Sequence, residues 1–156
     1  PETTEGHEGY VHPTLIQGDA AELELRFIVR DFENDLLDRH VEYLRTLAAE
    51  VAATDPRCSI EFESRIQYRN MRGVLEQHPA IVENLEQAVR RVGLEPKRTA
   101  IRGGTDGSAL TEMGLPTPNI YTGGQDAHSE REWICVEDMG IAAATIVELA
   151  KVWAGL

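Results

Sequence analysis

The stretch Ile101-Arg102-Gly103-Gly104-Thr105-Asp106-Gly107 decides how the chain reads. Thr99–Arg102 is a short β-prone run. Two glycines then turn the chain into a segment of helical spacing, Thr105–Met113, which Gly114 closes. A strand that enters a helix through glycines is a building unit of α/β sheets. Downstream, Pro118–Tyr121 reads as another short strand and Thr122–Trp133 as a loop. Val136–Trp153 follows as an alanine-rich helix, nearly apolar along one side. Upstream, Pro79 suits the first turn of a helix that reaches Val92 and ends at Gly93, with Ile81, Val82, Leu85 and Val89 inward. From Met71 onward helices and short strands alternate, and an α/β fold is expected.

The first part of the chain has a different rhythm. Tyr10–Gln17 is apolar and β-prone, and Gly18-Asp19 can turn the chain. Glu22–Arg30 then alternates, with Leu23, Leu25, Phe27 and Val29 on one face, which predicts a half-buried strand and a hairpin. Asp31 is a candidate cap for a helix over Asn34–Ala53, which Asp55-Pro56 stops. Ser59–Gln67 alternates again and predicts a third strand. The order β-β-α-β is that of a ferredoxin-like βαββαβ unit without its first strand and helix. The change of pattern near Tyr68–His78 predicts two domains, 1–70 and 71–156.

Composition narrows the function classes. Of 156 residues, 42% are hydrophobic and 27% charged, which is globular composition. With 27 acidic and 15 basic residues the net charge is −12, so neither nucleic acid nor an anionic membrane surface is expected as a partner. The two cysteines, Cys58 and Cys135, form no C-x-x-C and are expected to be reduced and inert. No apolar run approaches the ~18 residues of a membrane span, and no signal peptide is visible, so a cytoplasmic location is expected. The chain starts at Pro1 rather than Met, and Pro1–Gly6 reads as the middle of a loop. The natural N-terminus is therefore expected upstream.

Three constellations carry candidate chemistry. At Arg102–Gly107 the backbone N–H groups after the glycines suit an anion, and Arg102 adds a fork that matches a carboxylate. The run is neither a Walker A loop nor a dinucleotide fingerprint; a structural turn and a binding loop both fit it. Gly123-Gly124-Gln125-Asp126-Ala127-His128 follows a predicted strand, and the C-terminal ends of such strands are where open α/β sheets bind ligands. His128 there is a metal ligand, a general base or a surface residue. Tyr68-Arg69-Asn70-Met71-Arg72 places two guanidiniums and an amide at the domain boundary, as a ligand contact or a solvated basic turn. His7, His12, His40 and His78 show no metal-ligand spacing with one another.

Taken in order and spacing, these segments resemble the peptidase T family, tripeptide aminopeptidases of the dizinc exopeptidase superfamily. The resemblance covers nearly the whole chain. It is carried by Glu5–Tyr10, Ile28–Phe32, Asn70-Met71-Arg72, Arg102–Gly107, and Met113-Gly114-Leu115-Pro116-Thr117-Pro118-Asn119 followed by Gly123-Gly124. It implies that the first half is most of a lid and the second the C-terminal α/β part of a catalytic domain. By the same resemblance His128 is the last ligand of a zinc pair. Arg102 and Arg72 hold the terminal carboxylate of a peptide, and Asn70 and Gly104 are further substrate contacts. Ser129 stands where many family members have glycine.

The implied reaction is metal-assisted hydrolysis of tripeptides, with a glutamate as base. Such a site needs about five ligands for two ions. The resemblance places the others, and the base, in sequence N-terminal to this chain. The full-length protein is thus expected to be a tripeptidase. The chain alone is expected to be inactive, to hold no zinc stably, and to self-associate, for instance as a homodimer, through an open sheet edge. Two alternatives remain: another zinc exopeptidase or deacylase of the superfamily, and a non-catalytic lid or dimerisation module.

Overall fold

A computed structural model describes residues 3–156. Strands β1 (Tyr10–Gly18) and β2 (Leu23–Arg30) form the expected antiparallel hairpin, with Tyr10 opposite Arg30 and Gly18 opposite Leu23. The turn is made by Asp19, whose carboxylate accepts the N–H groups of Ala21 (2.8 Å) and Glu22 (3.1 Å). A register shift between Pro13 and Leu15 fits a proline that has no N–H for the ladder. The alternating apolar residues of β2 are more open than half-buried: Leu25 is 49% and Phe27 44% exposed.

Helix α1 (Asn34–Ala52) follows and packs against β2. Its cap differs from expectation. The N-cap residue is Glu33, with no side-chain cap bond, because Asp31 is engaged elsewhere. One oxygen of the Asp31 carboxylate accepts the Glu33 N–H at 2.9 Å and the other meets His40 Nε2 at 3.0 Å. Asp31 therefore ties the end of β2 to the helix by its side chain.

The later helices form where the sequence places them. They are α2 (Arg72–Leu75), α3 (Pro79–Arg91), α4 (Asp106–Glu112) and α5 (Val136–Trp153). Only the single turn α2 has no counterpart in the sequence expectation. Helices α3 and α4 end alike, with Gly93 at φ +84° and Gly114 at φ +93°. The following N–H groups of Leu94 and Leu115 reach back to the carbonyls of Val89 and Leu110. This left-handed closure favours glycine. Helix α3 packs on α5, and Ala88 and Val89 are buried there. Thr145 of α5, wholly buried, donates to the Ile141 carbonyl and meets the Tyr121 hydroxyl at 2.5 Å.

Three expected strands are absent. Ser59–Gln67, Thr99–Arg102 and Pro118–Tyr121 join no ladder, and the sheet among the described residues has two strands. The β-β-α-β order thus reduces to β-β-α. A strand exists only as half of a pair: the hairpin finds its partner one turn away, whereas these runs have none among the described residues. No helix of the described residues is long and apolar enough to cross a membrane. The chain divides into two compact units. The first comprises the described residues up to Asn70 together with Ala100–Gly104; the second comprises Met71–Thr99 and Thr105–Leu156.

Candidate functional site

In the first unit, Arg102 is the centre of a tight arrangement. Its guanidinium donates to the Thr4 carbonyl (2.6 Å), the Thr4 hydroxyl and the Glu8 carbonyl (3.0 Å), and lies over the Tyr10 ring at 5.0 Å. Its Nε is buried without a partner among the described residues. Arg30 is built similarly, over the Tyr68 ring at 4.8 Å and donating to Gln67 Oε1 at 3.2 Å. Tyr10, Arg30, Asp31, Tyr68, Asn70 and Arg102 line a cavity of about 40 Å³. That volume admits water and excludes a peptide. Beside the two guanidiniums stand the nearly buried Asp31 carboxylate and Glu8, so the cavity is lined by charges of both signs.

Gly104 has a packing reason to be glycine. A Cβ there would overlap the Tyr68 ring at 1.7 Å, so the glycine lets Tyr68 lie where Arg30 covers it. Asn70, Arg102 and Gly104, three of the residues singled out in the sequence, thus belong to one unit. Tyr10, Arg30, Asp31 and Tyr68 complete their surroundings. Tyr68 heads the run that contains Asn70, and Tyr10, Arg30 and Asp31 lie in segments that carry the resemblance, but the sequence assigns none of the four a site role.

Arg72 and His128 belong to the second unit. Arg72, on α2, pairs through Nε with Glu76 Oε1 at 2.7 Å. The path to His128 is fixed step by step. A Cβ on Gly107 of α4 would sit 2.5 Å from the Thr117 carbonyl, so the chain after Met113 passes directly over that helix. The Thr117 N–H donates to the Thr111 hydroxyl at 3.0 Å. Tyr121 then anchors to Thr145, and Gly123, at φ +86°, lies against Asp138, whose Cβ a side chain would meet at 2.4 Å. These contacts lead the chain across α4 and α5 into the loop.

The loop is closed at its base by a reciprocal pair of backbone bonds between Gln125 and Trp133, at 2.8 and 3.2 Å. Inside it, Asp126 and His128 adopt φ of +53° and +68°. The left-handed region costs a non-glycine residue about 1 kcal/mol. The Ser129 N–H bonds the Asp126 carbonyl, the Ser129 hydroxyl accepts the Arg131 N–H, and the Glu132 carboxylate accepts the His128 N–H at 3.2 Å. Among the described residues the His128 imidazole takes no partner, and the residue is exposed. Ser129 serves this turn through both its N–H and its hydroxyl.

Whether these side chains could hold a metal is a matter of donor count. Among the described residues no group of three or more His, Cys, Asp and Glu lies close enough to bind one. His40 is taken by Asp31, the His7 ring lies tilted against Phe32 at 4.7 Å, and His78 is the N-cap residue of α3. His128 offers one donor, so these residues do not make a metal site by themselves.

Known proteins resemble the chain along nearly all of its length. Peptidase T of Bacillus velezensis is 44% identical over 153 residues, and that of Bacillus subtilis 44% over 151 residues. These alignments cover 98% and 97% of this chain and 37% of each relative, so the chain spans little more than a third of their length. The crystal structure of aminopeptidase PepT from Bacillus cereus superposes with a TM-score of 0.65 over 94% of this chain and 40% of that one. At 17% identity this likeness speaks to the fold. The family model "Peptidase family M20/M25/M40" matches residues 3–152. The chain therefore belongs to peptidase family M20/M25/M40.

Proposed function

We propose that this chain is part of a zinc-dependent aminopeptidase that removes the N-terminal residue from tripeptides. The observation that carries this reading is the 44% identity to Peptidase T over 98% of the chain. In it, residues 1–70 act as lid and 71–156 as part of the catalytic domain. His128 supplies one zinc ligand; its exposed imidazole, unpartnered among the described residues, on a closed loop supports that role. The remaining ligands and the general base come from sequence outside this chain. In this reading the chain alone is inactive, because it supplies one ligand and no base.

Arg102 and Arg72 act as carboxylate contacts, with Asn70 and Gly104 as secondary substrate contacts. For Arg102 the supporting fact is the kind of partner it already holds. Its N–H groups meet carbonyl and hydroxyl oxygens of Thr4 and Glu8, and a carboxylate is the same class of acceptor with a full charge. A peptide carboxylate binds there by replacing those oxygens. The open, apolar hairpin, with Ile16 69% exposed, supports pairing with further strands or a second copy.

The test uses two polypeptides: this chain, and a form extended N-terminally to the relatives' length. Each is supplied with zinc and offered di-, tri- and tetrapeptides. The extended form is expected to release the N-terminal residue of tripeptides alone, and the 156-residue chain to do nothing. Equal turnover of all lengths by the extended form counts against the tripeptidase reading. Turnover by the chain alone counts against the division of the site.

A further inference from the structure

We infer that Glu132 is a positioning residue for His128. The inference rests on the reading of His128 as a metal donor and deepens it. A residue at φ +68° points its N–H and its side chain in directions that an ordinary strand or helix would not use. Left alone, a histidine in an exposed loop relaxes out of that conformation, because the left-handed region is disfavoured for side chains with a Cβ. Here the N–H it exposes is taken by the Glu132 carboxylate at 3.2 Å, a charge-assisted bond made in this backbone conformation.

The rest of the loop prepares Glu132 for the task. The Glu132 N–H donates to the Ser129 carbonyl at 3.2 Å, and the adjacent Trp133 is bonded in both directions to Gln125. Glu132 therefore projects from the closed base of the loop, while His128 sits on its span. A carboxylate so held selects one presentation of the imidazole before any ion arrives, which lowers the ordering cost of binding. In metal centres such outer contacts orient the donors; in this loop the contact acts on the backbone of the donor rather than on its ring.

Amide hydrogen exchange tests this on the 156-residue chain, comparing wild type with Glu132→Ala and Glu132→Gln. In the alanine variant, exchange at the His128 amide is expected to rise about tenfold, the size of one lost bond to a charged group. The Ser129 and Trp133 amides should change little. Glutamine keeps an oxygen acceptor and should restore most of the protection. Unchanged exchange at His128, an equal rise across residues 125–133, or a glutamine variant as fast as the alanine one overturns the proposal. Zinc is then titrated into the wild type while histidine ring resonances are followed. If His128 responds no more than His12 and His78, the donor reading fails, and the exchange result still decides the role of Glu132.

Discussion

Arg102 and His128 live in opposite circumstances. Arg102 is enclosed within its unit, with two of its three nitrogens committed to oxygens of Thr4 and Glu8 and its plane against Tyr10. His128 stands on an exposed loop, its backbone in a disfavoured region and its ring unpartnered among the described residues. One residue gains stability from its surroundings; the other is held by its surroundings at a cost. A side chain that stabilises its own fold must exchange partners to bind a ligand, whereas a side chain held under strain is already presented. For the binding roles proposed above, the contrast gives two ways of holding a side chain, and substitution should tell them apart by sign.

The largest effect is expected at Arg102. Arg102→Ala removes three hydrogen bonds from a charged donor and should destabilise the first unit by about 3 kcal/mol, read from the urea midpoint. In the extended enzyme it should also raise KM for tripeptides more than it lowers kcat. A stable variant with unchanged KM would leave Arg102 as neither clamp nor contact. Next comes Gly107→Ala, which drives a Cβ against the Thr117 carbonyl. Overpacking of about 3 kcal/mol, less about 1 kcal/mol of helix propensity, leaves a loss of about 2 kcal/mol in the second unit.

The third test reverses the sign. His128→Gly relieves the left-handed strain and should raise stability by up to about 1 kcal/mol in the same urea titration, while removing the proposed donor. A destabilised glycine variant would mean that the imidazole packs, and the contrast with Arg102 would collapse. The smallest effect belongs to a surface pair. Arg98, bonded to Glu86 at 2.6 Å, holds that carboxyl below its ordinary range, with Arg90 adding to the field. A depressed carboxyl stabilises the fold above its unfolded-state value, and the contribution fades as pH falls through the lowered folded-state value. Arg98→Ala should therefore cost a little stability at about pH 7 and nothing at about pH 2. Equal loss at both would assign Arg98 a packing role instead.

The helices were legible because their signals are local. Pro79, Gly93, Gly114 and the 3.6-residue spacing of apolar side chains act within one or two turns, and all four longer helices appear within a residue or so of expectation. Helix α4 even takes Thr105 as its cap, the Thr105 hydroxyl accepting the Ser108 N–H at 3.4 Å. The hairpin was legible for the same reason. Ser59–Gln67, Thr99–Arg102 and Pro118–Tyr121 carry strand patterns, but pairing is decided by segments elsewhere, and alternation cannot say whether a partner is there. Asn70, Arg72, Arg102, Gly104 and His128 stand out in the sequence by motif, and their roles are proposals. The contacts of Tyr68, which a Cβ on Gly104 would strike, and of Glu132, which accepts the His128 N–H, were not legible, because no spacing rule describes them.

The bridge between Gln125 and Trp133 has a practical corollary. The chain has two tryptophans, Trp133 and Trp153, and both lie in the second unit. Trp133 is half-exposed and sits at the base of the His128 loop, so its indole emission will respond to water entering when that base opens. With Trp153 replaced by phenylalanine, fluorescence becomes a single-site optical probe of this loop, blind to the hairpin unit. The opening of the loop and the melting of the hairpin could then be timed separately in one cuvette, the second by circular dichroism.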